Sequence, residues 1–156
     1  MTRINSAIPV AELTDEHILA EHREIKRLPA IYAHHLATPK KGSILAEFVL
    51  GKGHVLFFVE KPAFTLNRYL KIFNECNKRG FAVTFYGGNW TKAYTPEQFR
   101  SEASNHTPTE KERGMLLERI TQRIFESPKK SWHYYGVAIT KQEAIGILNN
   151  NKNERR

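Results

Sequence analysis

The sequence predicts an all-α fold: a single compact domain of about three main helices with long loops. Three observations predict it. Three segments carry apolar residues at helical spacing between recognisable start and stop residues. The most apolar short run, residues 49–59, finds no convincing partner strand elsewhere. A length of 156 residues suits one domain rather than two.

The first predicted helix opens at Thr14-Asp15, where a threonine side chain can cap the first free backbone N–H groups. Leu13, Ile18, Leu19, Ile25 and Leu28 mark its apolar side. Pro29 lacks an N–H and clashes with the preceding turn, so it breaks or kinks this helix, with 30–37 continuing beyond it. The loop Thr38-Pro39-Lys40-Lys41-Gly42 ends the segment. Residues 49–59 are read as a buried connector. The second helix runs from about Pro62 to Arg79, with Phe64, Tyr69, Leu70, Phe73 and Cys76 inward and Lys78-Arg79-Gly80 as its stop. Residues 84–106, rich in Gly, Asn, Thr and Ser, read as a long surface loop. The third helix follows Pro108-Thr109-Glu110, carries Leu116, Leu117, Ile120 and Ile124, and finishes before Pro128. The polar tail 149–156 is expected to fray.

Composition narrows the function. A hydrophobic share of 40% and a charged share of 26% are ordinary for a soluble globular protein. No segment approaches the roughly 18 consecutive apolar residues of a membrane span, and the N-terminus lacks a secretory layout. Cys76 is the only cysteine, which excludes an internal disulfide and a cysteine-rich zinc site. A soluble, intracellular protein is expected. The net charge of +8 suits a phosphate polyanion, and equally a solubilising surface. Residues 1–50 are balanced; the excess lies chiefly in 51–100, where Lys52, Lys61, Arg68, Lys71, Lys78, Arg79, Lys92 and Arg100 face three glutamates.

Metal-dependent nuclease chemistry needs clustered carboxylates, and this chain has a single aspartate, Asp15. Its seven histidines show no ligand spacing; in a helix the adjacent His34 and His35 point about 100° apart. Gly51-Lys52-Gly53-His54 is too short for a phosphate-binding P-loop. No metal and no organic cofactor are expected.

Three features permit a different chemistry. Thr2 is small enough for Met1 to be removed before it, which would expose an α-amine. Such an amine titrates near 7.7–8.0, so a sizeable fraction is nucleophilic at neutral pH. It can attack a sugar C1′, expel a base and form a Schiff base that activates the neighbouring carbon for β-elimination. In Arg23-Glu24-Ile25-Lys26-Arg27, Arg23 and Arg27 share a helix face, Glu24 and Arg27 are three apart, and His17 lies two turns earlier. A carboxylate flanked by guanidiniums stays ionised and can stabilise an oxocarbenium or iminium cation. The same spacing describes a solvated face with ordinary ion pairs. Trp132-His133-Tyr134-Tyr135-Gly136, after Lys129-Lys130, suits either base stacking or core packing.

Taken together and in order, 1–5, Ala20-Glu21-His22-Arg23-Glu24, Gly51-Lys52-Gly53-His54-Val55 with Phe57-Phe58, 75–81, Pro96-Glu97-Gln98-Phe99-Arg100 and 132–136 resemble the phage-type endonuclease V family. These are pyrimidine-dimer DNA glycosylases with abasic-site lyase activity. The resemblance implies an all-α domain whose N-terminal segment threads between helices. It implies Thr2 as the amine nucleophile and Glu24 as the carboxylate for base release and elimination. Arg3, His17, Arg23, Arg27, Arg119, Arg123, Trp132, Tyr134 and Tyr135 become the DNA-binding set. The implied substrate is double-stranded DNA carrying pyrimidine dimers or abasic sites, cut at the 5′ pyrimidine of a cyclobutane dimer, and the protein is expected to be a monomer.

The chain departs from the family pattern in three places. The proline after the first helix is displaced relative to Arg27. The third helix is a turn shorter, so Arg119 can stand for either of two basic positions. The aromatic segment lacks one residue and its central lysine, with His133 in that neighbourhood. The match ends near Ile139, giving an expected domain of residues 1–140 and a partly disordered extension of 141–156. Two other readings remain: a lyase or glycosylase for other lesions, and a non-catalytic, sequence-independent duplex binder.

Overall fold

The computed structural model describes residues 4–38 and 46–150, and among them the architecture is helical with one small hairpin. A 3₁₀ turn at Val10–Glu12 leads into α1 (Asp15–Ile25), capped as expected by Thr14, whose hydroxyl accepts from the His17 N–H. The chain then breaks, and α2 (Leu28–Ala37) restarts with Pro29 in its first turn, where the missing N–H costs nothing. Of the loop predicted after it, Thr38 is described and 39–42 lie outside the described residues.

The connector 49–59 holds a short helix, α3 (His54–Phe58). Its entry turns on Gly51 and Gly53, at φ 75° and 93°, which a side chain would strain. The long helix α4 (Pro62–Lys78) matches its predicted bounds within a residue, and Gly80 at φ 84° closes it. The third predicted helix is α7 (Glu110–Glu126), opened by a Thr109/Glu112 capping box.

Residues 84–106 correct the expected surface loop. They form α5 (Gly88–Ala93), α6 (Pro96–Arg100) and a 3₁₀ turn at Glu102–Ser104. Trp90 is fully buried, donating from Nε1 to Thr65 Oγ1 at 3.0 Å, and Tyr94 donates to the Val59 carbonyl at 2.7 Å. Two anchors of this size bury enough apolar area to fold a segment whose helices are too short to show a period.

After α7 the chain makes an antiparallel hairpin, β1 (Trp132–Tyr134) with β2 (Val137–Ile139), in the register Trp132 opposite Ile139. The expectation named no strand here. Residues 141–149, expected as an extension, form α8 (Lys141–Asn149), which packs on α7 and buries Ala144 and Leu148. Residues 151–156 lie outside the described residues.

The core is centred on the α1–α4 contact, with Ile18 and Ile25 from α1 and Tyr69, Ile72 and Cys76 from α4 all buried. Into it the N-terminal segment inserts Ile4 and Ile8, both at most 1% exposed. Three side chains tie that segment down. His54 lies against the Ile4 peptide, Arg68 donates to the Ile8 carbonyl at 2.7 Å, and Arg113 donates to the Ala7 carbonyl at 3.1 Å. The N-terminal segment therefore runs between helices, as the resemblance implies.

Candidate active site

The two ends of α1 organise different sets of residues. At its C-terminal end, Glu24 is 29% exposed and accepts from Arg27 Nη1 at 3.3 Å, while Arg23 is exposed on the neighbouring face. One turn earlier Glu21 is buried. Arg68 grips it with two bonds, Nε to Oε1 at 2.9 Å and Nη2 to Oε2 at 3.0 Å, and Asn5 Nδ2 donates to the same carboxylate at 3.2 Å. A buried carboxylate is tolerated because its charge is neutralised and its lone pairs are filled. The Glu21–Arg68 pair thereby fixes Asn5 against the helix that carries Glu24. Thr2 and Arg3 lie outside the described residues.

At the N-terminal end of α1, His17 stacks on Trp132 at 4.9 Å with 10° between the planes. Lys129 Nζ sits 4.7 Å from the Trp132 ring centre. Burial pushes the His17 imidazole down to about 4; the Arg123 and Lys129 charges add to the shift and Glu16 opposes it. Burial and the neighbouring Arg119 charge also lower the Arg123 guanidinium from its ordinary value. Two donors in this region, Arg119 Nε and Trp132 Nε1, are buried without a hydrogen-bond partner among the described residues.

The hairpin is docked onto α1 by two acids. Glu16 accepts from the His133 backbone at 3.0 Å, the His133 ring at 2.9 Å and Lys129 at 3.1 Å. Burial works against its charge, but the bonds from His133 and Lys129 outweigh it and hold the carboxyl near about 2. Asp15 accepts from the Tyr135 N–H at 3.1 Å, the Gly136 N–H at 2.8 Å and Arg79 Nη1 at 3.0 Å. Tyr135 and Gly136 have φ of 49° and 77°, the pair of positive angles that a two-residue type I′ turn requires. Glycine adopts that conformation freely and tyrosine does not, so the Asp15 carboxylate compensates the strain.

Tyr134 and Tyr135 are committed in the same way. The Tyr134 hydroxyl donates to the Ala11 carbonyl at 2.8 Å, and the Tyr135 hydroxyl donates to Glu75. The Arg79 guanidinium, fully buried, lies 4.4 Å from the Tyr135 ring and 5.1 Å from Tyr134. Of the two uses open to the aromatic cluster, packing accounts for Trp132, which is 7% exposed.

The fold thus brings together His17, Arg123 and Trp132, and separately Glu24 with Arg27. It does not gather them into one cluster: seven residues of helix set His17 about 10 Å along the axis from Glu24. The cations of 51–100 are also less available than their number suggests. Arg68 and Arg79 are spent on buried ion pairs, and Lys61 on the Phe57 carbonyl at 2.7 Å. Residues that sequence reasoning missed include Asp15, Glu21, Arg68 and Arg79. Their only local signal was an acid or arginine at a position the apolar stripe should own. Among the described residues no group of three or more His, Cys, Asp or Glu could hold a metal ion, and no helix is long and apolar enough to cross a membrane. Burial pushes the Cys76 thiol up to about 11, so it is not a thiolate nucleophile.

The helical domain thus presents Glu24, 29% exposed, beside the exposed Arg23 and Arg27. Comparison with family models says what class of protein carries it. The family model described as pyrimidine dimer DNA glycosylase matches residues 1–85, and the chain belongs to that family. It is accordingly an enzyme whose substrate is DNA, a glycosylase acting on pyrimidine dimers. The matched stretch holds the N-terminal segment and α1 to α4, with Glu24 and its surroundings; the hairpin and α7 lie beyond it.

Proposed function

We propose that this enzyme excises the 5′ pyrimidine of cyclobutane dimers in double-stranded DNA through an imine at the Thr2 α-amine. It then nicks the strand by β-elimination, as a monomer without a metal. The supporting observation is the Asn5–Glu21 hydrogen bond beside Glu24. Thr2 is three residues from Asn5, a reach of up to about 10 Å. Glu24 is three residues from Glu21, about 4.5 Å along the helix axis. An amine on this tether can meet that carboxylate.

The chemistry then follows from the groups. The neutral amine attacks C1′ and the C1′–N1 bond breaks, the pyrimidine taking up the proton that the amine sheds and staying joined to its neighbour through the cyclobutane ring. The C1′–O4′ bond then breaks, the ring oxygen taking a proton from water, and leaves a protonated imine, whose cation the Glu24 carboxylate stabilises. Glu24 takes a proton from C2′, the 3′ C–O bond breaks, and the phosphate leaves. Water hydrolyses the imine and restores the amine. Arg27, paired with Glu24 at 3.3 Å, can hold a neighbouring phosphate. A lesion that already weakens pairing lowers the cost of unstacking the nucleotide.

The test is borohydride trapping on duplex DNA with one cyclobutane thymine dimer, with an amine-blocked protein alongside and the intact mass measured. A covalent adduct only with the free amine, and a mass lighter by one methionine, are expected. Glu24→Gln should abolish base release while leaving DNA binding largely intact. Base release at the wild-type rate in that variant removes Glu24 from the chemistry, and an adduct with the blocked protein removes Thr2.

A further inference from the structure

We infer that His54 is a positioning residue for the N-terminal amine, acting through the peptide of Ile4; this rests on the amine reading above. His54 is fully buried at the start of α3, fifty residues from the segment it touches. Its Nδ1 lies 2.8 Å from the Val49 carbonyl. Burial lowers the ring's affinity for a second proton, against the pull of the Val49 and Ile4 carbonyls and of Glu21. At the other edge of the ring, the Ile4 peptide N–H lies 3.4 Å from Nε2. The Ile4 carbonyl lies 3.0 Å from the same nitrogen. The ε edge of His54 therefore faces both polar groups of residue 4.

This contact differs from the others along the segment. Arg68 and Arg113 hold Ile8 and Ala7 from well downstream, and Asn5 is held by its side chain. His54 alone among these faces both polar groups of one backbone residue, two residues from Thr2, and the ring itself is packed in place. Phe48 and Phe58 pack edge-on against it at 5.3 Å each, and Val49 holds its other nitrogen. A nucleophile misplaced by an ångström can lose about 100-fold in rate. A rigid buried ring at residue 4 restricts that error at its source.

Two side chains separate positioning from stability. An asparagine amide reaches only the δ position, so His54→Asn keeps the Val49 bond and loses Ile4. A glutamine amide reaches the ε position and offers both a donor and an acceptor, so His54→Gln keeps the Ile4 peptide. The readout is the single-turnover rate of borohydride adduct formation at saturating duplex DNA with one abasic site. Thermal unfolding and affinity for undamaged duplex are measured in parallel.

His54→Asn is expected to slow adduct formation about 10- to 100-fold. His54→Gln should stay within a few-fold of wild type, with affinity for undamaged duplex unchanged in both. Equal losses in the two variants, or rates that simply follow thermal stability, overturn the proposal. Should the Asn variant fail to fold, Ile4→Pro removes the N–H beside Nε2 together with the buried Ile4 side chain, and a wild-type rate there overturns it too. Failure of the amine reading shows itself separately: wild-type protein with a blocked amine would then trap as well as unmodified protein, and the His54 proposal falls with it.

Discussion

Replacing Asp15 by asparagine removes one negative charge while keeping the side chain's shape. In the folded protein this carboxylate takes three hydrogen bonds, two from the turn of the hairpin and one from the buried Arg79. Asparagine keeps one acceptor oxygen and turns an N–H₂ toward the remaining donors. Arg79 retains Glu75 at 2.9 Å and the Leu13 carbonyl at 2.7 Å, so its guanidinium is not abandoned, but the charge balance of a buried cluster is broken. Breaking a buried pair costs about 3–5 kcal/mol. That is a large part of the roughly 5–15 kcal/mol by which domains are stable. At about 2–4 °C per kcal/mol for a chain of this size, melting should fall by roughly 6–20 °C. Thermal unfolding followed by circular dichroism measures it, and urea unfolding gives the free-energy difference. Arg100→Gln is the control, because the exposed Arg100–Glu97 pair at 3.9 Å should be worth under about 1 kcal/mol. An Asp15→Asn protein within 1 kcal/mol of wild type would refute the view that this acid holds the hairpin.

Two further outcomes are expected. His17, held down to about 4 against an ordinary 6.5, is neutral when folded and protonates readily when unfolded. Between those values the unfolded state binds more protons, so stability is full above about pH 6.5 and falls as the pH drops toward 4. About 2 kcal/mol should be lost between pH 7 and pH 5; His17→Phe, which keeps a ring against Trp132, should flatten that dependence, and an unchanged profile would clear His17 of the effect. The exposed Arg23 should contribute one phosphate contact, so Arg23→Gln should reduce the slope of log affinity against log salt on undamaged duplex by about 0.9. An unchanged slope places Arg23 off the DNA.

Legibility in the sequence followed the range of the interaction. α1, α4 and α7 could be read because each repeats an apolar stripe over several turns between local caps: Thr14, Pro62 and Thr109 open them, and Gly80 closes α4. α3, α5 and α6, of five or six residues, are too short for a period to emerge, and Trp90 is buried against Thr65 and Tyr69 of α4. The hairpin was hidden because its turn sets a tyrosine at positive φ, where local preference argues against a turn. Glu24 and Arg27 could be read as a pair, since three residues of helix suffice to bring them together. Trp132 could not be assigned between packing and display, because its partner His17 is more than a hundred residues away.

The sequence by itself determined the helical class, the three long helices with their ends, the lone thiol, and the pairing of Glu24 with Arg27. All of these depend on neighbours within a turn or two of the chain. Contacts between distant segments settle which charges are spent inside. Arg68 and Arg79 look in sequence like any other basic residue of 51–100, yet they are buried against Glu21, Asp15 and Glu75. The physical reason is desolvation: a charge can leave water only where an opposite charge and enough hydrogen bonds await it. Apart from Glu75, one turn from Arg79, those partners are supplied by segments forty-seven or more residues away, which nothing in the local sequence records.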